Sequence, residues 1–245
     1  MFFVFNKRKI NSYLISLGTV AILFSISFMS ISKNPENTIQ TQASVQNEIF
    51  EPIFKSETTT KQIALSINCS ENAENIESIL EILAKMNSKA TFYITGKIAK
   101  ENSEKVKKII ASGNEVGSLS NNYMHLNLKS VLEVRKEIKE SVEILNKITN
   151  QKVKTFRAPY GEYNKTIVRE ARNQNLEIVG WNIDSLDYNG LDEEEMIERI
   201  NENLKPGSIV LMHNSAKNTA TSLEGIISNL QKSGYKITTV QELIS

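Results

Sequence analysis

The apolar pattern changes its period repeatedly after residue 60. Short runs typical of buried strands alternate with segments in which apolar residues recur every three or four positions. This pattern predicts strands at 63–67, 90–94, 115–117, 154–156, 177–181, 207–211 and 235–240, and helices at 75–86, 103–112, 130–148, 163–173, 192–203 and 220–233. Alternating strands and helices indicate an α/β fold with a parallel sheet. We therefore predict a distorted (β/α) barrel of about seven strands, with a doubly wound open sheet as the alternative.

The first 32 residues follow a different pattern. A basic cluster at residues 7–9 precedes an uncharged apolar run at residues 13–31. As a helix this run would extend roughly 28 Å, which is enough to cross the hydrocarbon layer of a membrane. The basic cluster predicts a cytoplasmic N-terminus with the rest of the chain outside. Ser30 and Ser32 also suit a small-x-small cleavage site, so a cleaved signal peptide and secretion are the alternative.

Three segments follow from these patterns. Residues 1–32 are predicted to be a cytoplasmic basic cluster with a membrane anchor or signal. Residues 33–60 are rich in Asn, Gln, Ser, Thr and Glu and predict a flexible tether, although the apolar stretch 49–54 is a candidate for docking onto the domain. Residues 61–245 form the predicted folded domain.

The composition argues against a nucleic-acid partner and excludes an intrachain disulfide. The chain has 29 Lys and Arg residues against 28 Asp and Glu residues. This balance argues against a nucleic-acid partner, which requires a net basic face. Cys69 is the single cysteine, so no intrachain disulfide can form. A lone cysteine is most often a small buried side chain.

Polar side chains follow several of the predicted strands. In a barrel these positions share the rim at which chemistry takes place. Arg157, Asp184, Asp187 and His213 are expected to converge there, because Arg can bind a carboxylate and Asp can orient a His. The pattern alone names no reaction. Arg157 pairing with Asp184 or Asp187 to hold two loops, and His213 as a satisfied core histidine, are the structural alternatives.

Five segments in order resemble the motifs of the polysaccharide deacetylases, the NodB-homology or carbohydrate esterase family 4 domain. They are residues 90–96, 157–163, 181–188, 206–213 and 234–236. The sporulation-associated and chitooligosaccharide-deacetylase-like branch is the most similar part of this family. The resemblance covers residues 62–244 and implies a NodB-type barrel. It further implies, as a partner, a cell-wall or spore glycan that carries N-acetyl groups. In the family, a divalent metal, commonly zinc, assists the hydrolysis of these groups.

The resemblance also implies roles for single residues. The retained catalytic positions are Arg157, Asp184, Asp187 and His213, and the implied substrate-binding residues are Tyr160, Trp181 and Leu211. The position of the catalytic base holds Asn68, which cannot take a proton at neutral pH. The metal positions are replaced by Cys69 or Ser70, by Leu119 and by Tyr123. Glu71 and His125 are weak substitute ligands, together with Cys69 and Glu74.

Three functions remain open at this point. The resemblance favours a catalytically impaired domain that binds a glycan or a protein partner and holds no metal. The first alternative is an active deacetylase that uses zinc or another divalent metal on substitute ligands. The second is a structural scaffold of the envelope or of a spore layer.

Overall fold

A computed structural model describes residues 51–245. The predicted anchor or signal and residues 33–50 of the predicted tether lie outside the described residues. Within residues 51–245, no helix is both long and apolar enough to cross a membrane.

Eight strands and eight α-helices alternate along the described chain. The strands are β1 (Gln62–Cys69), β2 (Ala90–Ile94), β3 (Glu115–Ser118), β4 (Thr155–Phe156), β5 (Glu177–Ile178), β6 (Ile183–Asp184), β7 (Ile209–His213) and β8 (Lys236–Thr238). The helices are α1 (Ile76–Lys85), α2 (Gly96–Glu101), α3 (Ser103–Ala111), α4 (Val131–Thr149), α5 (Lys165–Arg172), α6 (Glu193–Asn203), α7 (Thr219–Lys232) and α8 (Val240–Ile244).

The strands form one parallel sheet that curls into a barrel. Its order is β5-β4-β3-β2-β1-β7-β6, and β8 pairs with the beginning of β1. The edge strands β5 and β6 are consecutive in the chain and only residues 179–182 separate them. The two edges of the sheet must therefore come close together. The prediction of a distorted barrel is confirmed, and the open sheet is excluded.

The segment that closes the barrel is held by side-chain hydrogen bonds. The sequence predicted one strand at 177–181, whereas the structure has the two short strands β5 and β6. Between them, Oδ1 of Asn182 accepts a hydrogen bond from the Ile209 N–H (2.8 Å), and Nδ2 of Asn182 donates to Ser208 Oγ (3.1 Å). A side chain thus replaces part of the backbone ladder. Strand β7 also runs two residues further than predicted, so His213 lies at the end of a strand.

Residues 53–56 cross the seam between the two sheet edges. The Ile53 N–H donates to Ile178 O (2.7 Å), the Gly180 N–H donates to Ile53 O (2.8 Å), and the Ser56 N–H donates to Gly207 O (2.8 Å). The Phe54 ring lies over Gly180, where an added Cβ would be 2.5 Å from a ring carbon. The expected docking of this apolar stretch is confirmed for Ile53 and Phe54.

Alternation along β1 separates the inside of the barrel from the helix layer. Successive side chains on a strand point to opposite faces. Ile67 and Cys69 belong to the large apolar cluster shared with the helices, whereas Ala64 packs with Tyr93 and Leu119 in a smaller cluster. Asn68 has the same parity as Ala64, so it faces the barrel interior. This alternation decides which residues can reach the site.

Candidate functional site

A cleft of about 570 Å³ opens at the carboxyl ends of the strands. Its lining includes residues from six separate loops or strand ends, as expected for the rim of a barrel. Nine of the residues named from the sequence line it: Asn68, Ser70, Glu71, Tyr123, Tyr160, Trp181, Asp184, Leu211 and His213.

Arg157 contacts Asn68 from within the barrel and is fully buried. Nη1 donates to Asn68 Oδ1 (3.1 Å), and Nη2 donates to Ser66 Oγ (2.9 Å) and to Gly180 O (2.8 Å). The guanidinium also lies over the Tyr93 ring, 4.1 Å from its centroid. Burial lowers the pKa of Arg157.

The structural alternative, in which Arg157 pairs with Asp184 or Asp187, is wrong. Among residues 51–245, no carboxylate forms a salt bridge with its guanidinium. Arg157 extends toward β1, where it binds Ser66 and Asn68, whereas the carboxylates of Asp184 and Asp187 bind other partners.

Asp187 orients His213. Oδ1 of Asp187 lies 2.9 Å from His213 Nδ1, and Oδ2 accepts hydrogen bonds from the His213 N–H (2.6 Å) and from Thr219 Oγ1 (2.6 Å). The ring of Tyr188 meets the imidazole edge-on at 5.2 Å. This buried carboxylate fixes the ring so that Nε2 is the nitrogen left for a ligand.

Asp184 has a different environment. Oδ1 accepts from the Leu186 N–H (2.9 Å), and Oδ2 accepts from the Tyr188 hydroxyl (3.2 Å). Of the two aspartates expected near His213, only Asp187 contacts it. Asp184 instead lines the cleft, where a carboxylate can accept hydrogen bonds.

Side chains at the expected metal positions do not fit a metal ion. Cys69 points into the helix-facing core, and burial raises the pKa of its thiol. Leu119 is buried in the apolar cluster inside the barrel. Burial also raises the pKa of the Tyr123 phenol, which disfavours the phenolate that would bind a cation. Ser70 lines the cleft but offers only a hydroxyl.

The substitute ligands do not assemble into a site either. Glu71 lines the cleft, but His125 lies outside the cleft lining and stacks on the Tyr160 ring. Within residues 51–245, no group of three His, Cys, Asp or Glu side chains is arranged to hold a metal. A site made of Cys69, Glu71 and His125 is therefore not formed.

Aromatic rings line much of the cleft. Tyr160 has φ +60° and Tyr123 has φ +51°, which are disfavoured conformations for bulky side chains. Trp181 packs on Gly161, where φ is +66° and an added Cβ would lie 2.7 Å from the indole. Tyr188 was missed by the sequence reasoning, although its position next to Asp187 was a usable signal.

Glu137 on α4 was also missed, and it anchors the loop that carries Leu119 and Tyr123. Its carboxylate accepts hydrogen bonds from Ser120 Oγ (2.9 Å), from the backbone N–H groups of Asn121 (3.1 Å) and Asn122 (2.9 Å), and from Asn122 Nδ2 (2.7 Å). The local sequence of the helix does not indicate that Glu137 anchors this loop, because its partners lie 15 to 17 residues away in the sequence.

Comparison with known proteins identifies the domain. The family model for polysaccharide deacetylase matches residues 55–179. The chain belongs to the polysaccharide deacetylase family. It is 29% identical over 194 residues to the uncharacterized protein YlxY of Bacillus subtilis, and the alignment covers 79% of this chain and 60% of YlxY. It is 31% identical to the peptidoglycan-N-acetylglucosamine deacetylase PgdA of Listeria monocytogenes, with 76% of this chain and 39% of PgdA covered.

A solved structure of this family shares the barrel. The CE4 family pseudoenzyme from Bacillus anthracis superimposes with a TM-score of 0.77 at 31% identity, covering 80% of this chain and 69% of that chain. A mutant of that pseudoenzyme with restored enzymatic activity superimposes equally well. This chain therefore contains a polysaccharide-deacetylase-like domain.

Proposed function

We propose that this family member binds an N-acetylated cell-wall or spore glycan in its cleft without hydrolysing it. The observation that supports this most directly is the hydrogen bond from Arg157 to Asn68 Oδ1 at the base position. An amide cannot take a proton from water at neutral pH, so this position supplies no general base. Cys69 and Leu119, both buried in apolar surroundings, supply no metal ligand.

The remaining cleft suits a sugar. His213 is held by Asp187 and can donate or accept a hydrogen bond, and Asp184 is an acceptor. Tyr160, Trp181 and Tyr188 present aromatic surface beside these polar groups. A few fixed polar groups among aromatic side chains are typical of a small-ligand site. Relatives named as peptidoglycan deacetylases, PgdA among them, support the choice of glycan.

We also propose that the domain is held outside the cytoplasmic membrane. Support comes from the sequence, in which a basic cluster at residues 7–9 precedes an apolar run at residues 13–31. A protease added to intact cells should degrade the domain while it leaves a cytoplasmic control protein intact. A protected, full-length chain would contradict this placement.

Binding and hydrolysis can be tested together on the full-length chain. Trp181 is the single tryptophan and lines the cleft, so its fluorescence reports occupancy. We expect a saturable shift with N-acetylated chitooligosaccharides or peptidoglycan fragments, no acetate release, and less than one zinc per chain. A Trp181→Phe variant is the control for the fluorescence signal.

Two results would replace the proposal. Acetate release that disappears in His213→Ala would establish an active hydrolase. No fluorescence shift and no acetate release with any of these oligosaccharides would instead favour the scaffold role.

A further inference from the structure

His125 is one of two histidines in the chain and has no part in the Asp187–His213 pair. Its ring stacks on Tyr160 with a centroid distance of 4.0 Å and an interplanar angle of 12°. The Tyr160 ring also contacts Tyr123 at 4.7 Å. Tyr123 and Tyr160 line the cleft and His125 does not. The stack of His125 on Tyr160 therefore continues the row of aromatic rings from the cleft lining to a ring outside it.

Polar contacts hold the stack in place. Nδ1 of His125 lies 3.1 Å from Glu162 Oε2, and the Tyr160 hydroxyl donates to Tyr123 O (3.2 Å). These contacts join the loop after β3 to the loop after β4. The rings consequently form one fixed surface, although two loops carry them.

The outer face of His125 is open to solvent. Its side chain is 51% exposed, and one face of the ring is covered by Tyr160. The exposed area must therefore lie mainly on the opposite face and on the edge. Tyr160 is 48% exposed as well. Half-exposed aromatic rings that are held rigidly lose little conformational freedom when a ligand packs on them.

We propose that the His125–Tyr160 stack is a second sugar subsite, which takes the sugar adjacent to the one in the cleft. This inference rests on the proposed glycan-binding function. The C–H face of a β-linked aminosugar packs on the ring, and the Glu162 carboxylate beside it accepts a hydrogen bond from a sugar hydroxyl. Ligands long enough to reach beyond the cleft gain this contact, and shorter ligands do not.

Ligand length separates this subsite from the cleft. The full-length chain is titrated with N-acetylglucosamine and with its β-1,4-linked hexamer, with Trp181 fluorescence as the signal. His125→Ala should weaken hexamer binding by about three- to tenfold and leave the binding of the single sugar unchanged. His125→Phe keeps an aromatic ring and should retain most of the hexamer affinity. Leu128→Ala alters an exposed residue of the same loop and should bind as the unaltered chain does.

The outcomes distinguish the two proposals. If neither the single sugar nor the hexamer binds the unaltered chain, the glycan-binding function itself fails. If both bind and His125→Ala leaves the ratio of the two affinities unchanged, the subsite is overturned while the cleft stands. Circular dichroism of each variant checks that the fold is retained.

Discussion

Nη1 of Arg157 lies 3.1 Å from Oδ1 of Asn68, so a buried guanidinium is held by an amide at the position where the resemblance predicts the family's catalytic base. The remaining donors of Arg157 reach Ser66 Oγ and the carbonyls of Val179 and Gly180. Its positive charge has no carboxylate partner among residues 51–245. Arg157 is thus held by neutral oxygen atoms, and the Asn68 amide cannot act as a base at neutral pH.

Asn68→Asp should make stability more dependent on pH. Arg157 would hold the folded-state pKa of the new carboxyl below its unfolded value of about 3.9. The added stability is then present above that value and is lost as the pH falls through the lowered folded pKa. We expect the free energy of unfolding to fall by about 1 to 2 kcal/mol more between pH 7 and pH 3 than in the unaltered chain.

Urea denaturation of both proteins at the two pH values measures this difference. Asn68→Ala is the matched control, because it leaves a charged donor unpaired at either pH and should be less stable at both. Equal pH dependence of Asn68→Asp and the unaltered chain would mean that Arg157 and residue 68 do not interact.

An aspartate at residue 70 should help to form a zinc site, whereas an aspartate at residue 69 should not. Ser70 lines the cleft, whereas Cys69 faces the helix layer. We expect the combination Asn68→Asp, Ser70→Asp, Leu119→His and Tyr123→His to bind about one zinc per chain, measured by elemental analysis after dialysis.

The matched variant carries Cys69→Asp in place of Ser70→Asp. It should lose about 3 kcal/mol or more of stability, because it buries an unpaired carboxylate in an apolar core. A stable Cys69→Asp variant that binds zinc would reverse the assignment of these two positions.

The Cys69 thiol should be unreactive in the folded chain. It is fully buried, and burial raises its pKa, so little of the reactive thiolate exists at neutral pH. Labelling with a thiol reagent should proceed only as fast as the domain unfolds, and urea should accelerate it together with the loss of circular dichroism. Rapid labelling in the absence of denaturant would show that Cys69 reaches solvent.

Phe54 and Gly180 should be energetically coupled. A Cβ at residue 180 would lie 2.5 Å from the Phe54 ring. Gly180→Ala should therefore cost about 1 to 3 kcal/mol through overpacking at the seam. The double variant with Phe54→Ala should cost less than the sum of the two single changes. Strict additivity in urea denaturation would mean that residues 53–56 do not hold the seam in solution.

Much of this fold follows from periodicity alone. The alternation of strand and helix patterns predicted the parallel barrel, because burial on both faces of a parallel sheet gives short, nearly continuous apolar runs. It missed helix α2, which Thr95 caps by accepting a hydrogen bond from the Ile98 N–H (3.2 Å). Six residues are too few for a helical period to emerge.

The sequence likewise predicted one part of the candidate site and left another part to the tertiary structure. The sequence by itself placed Asn68, Asp184, His213 and the aromatic residues at one rim, since strand ends converge in a barrel. Its resemblance to the family also predicts which family positions are replaced. It did not determine that Asn68 faces the barrel while Cys69 faces the helices. Alternation fixes only that neighbouring side chains point to opposite faces, and the curl of the sheet decides which face is inside.

Only the tertiary structure determined which side chains of the site contact one another. Arg157 binds Asn68 instead of an aspartate, Asp187 rather than Asp184 orients His213, and His125 stacks on Tyr160. Each contact joins residues that are 26 to 89 positions apart in the chain. Contacts at such separations depend on how strands and loops pack in space, which the local pattern of apolar and polar residues does not encode.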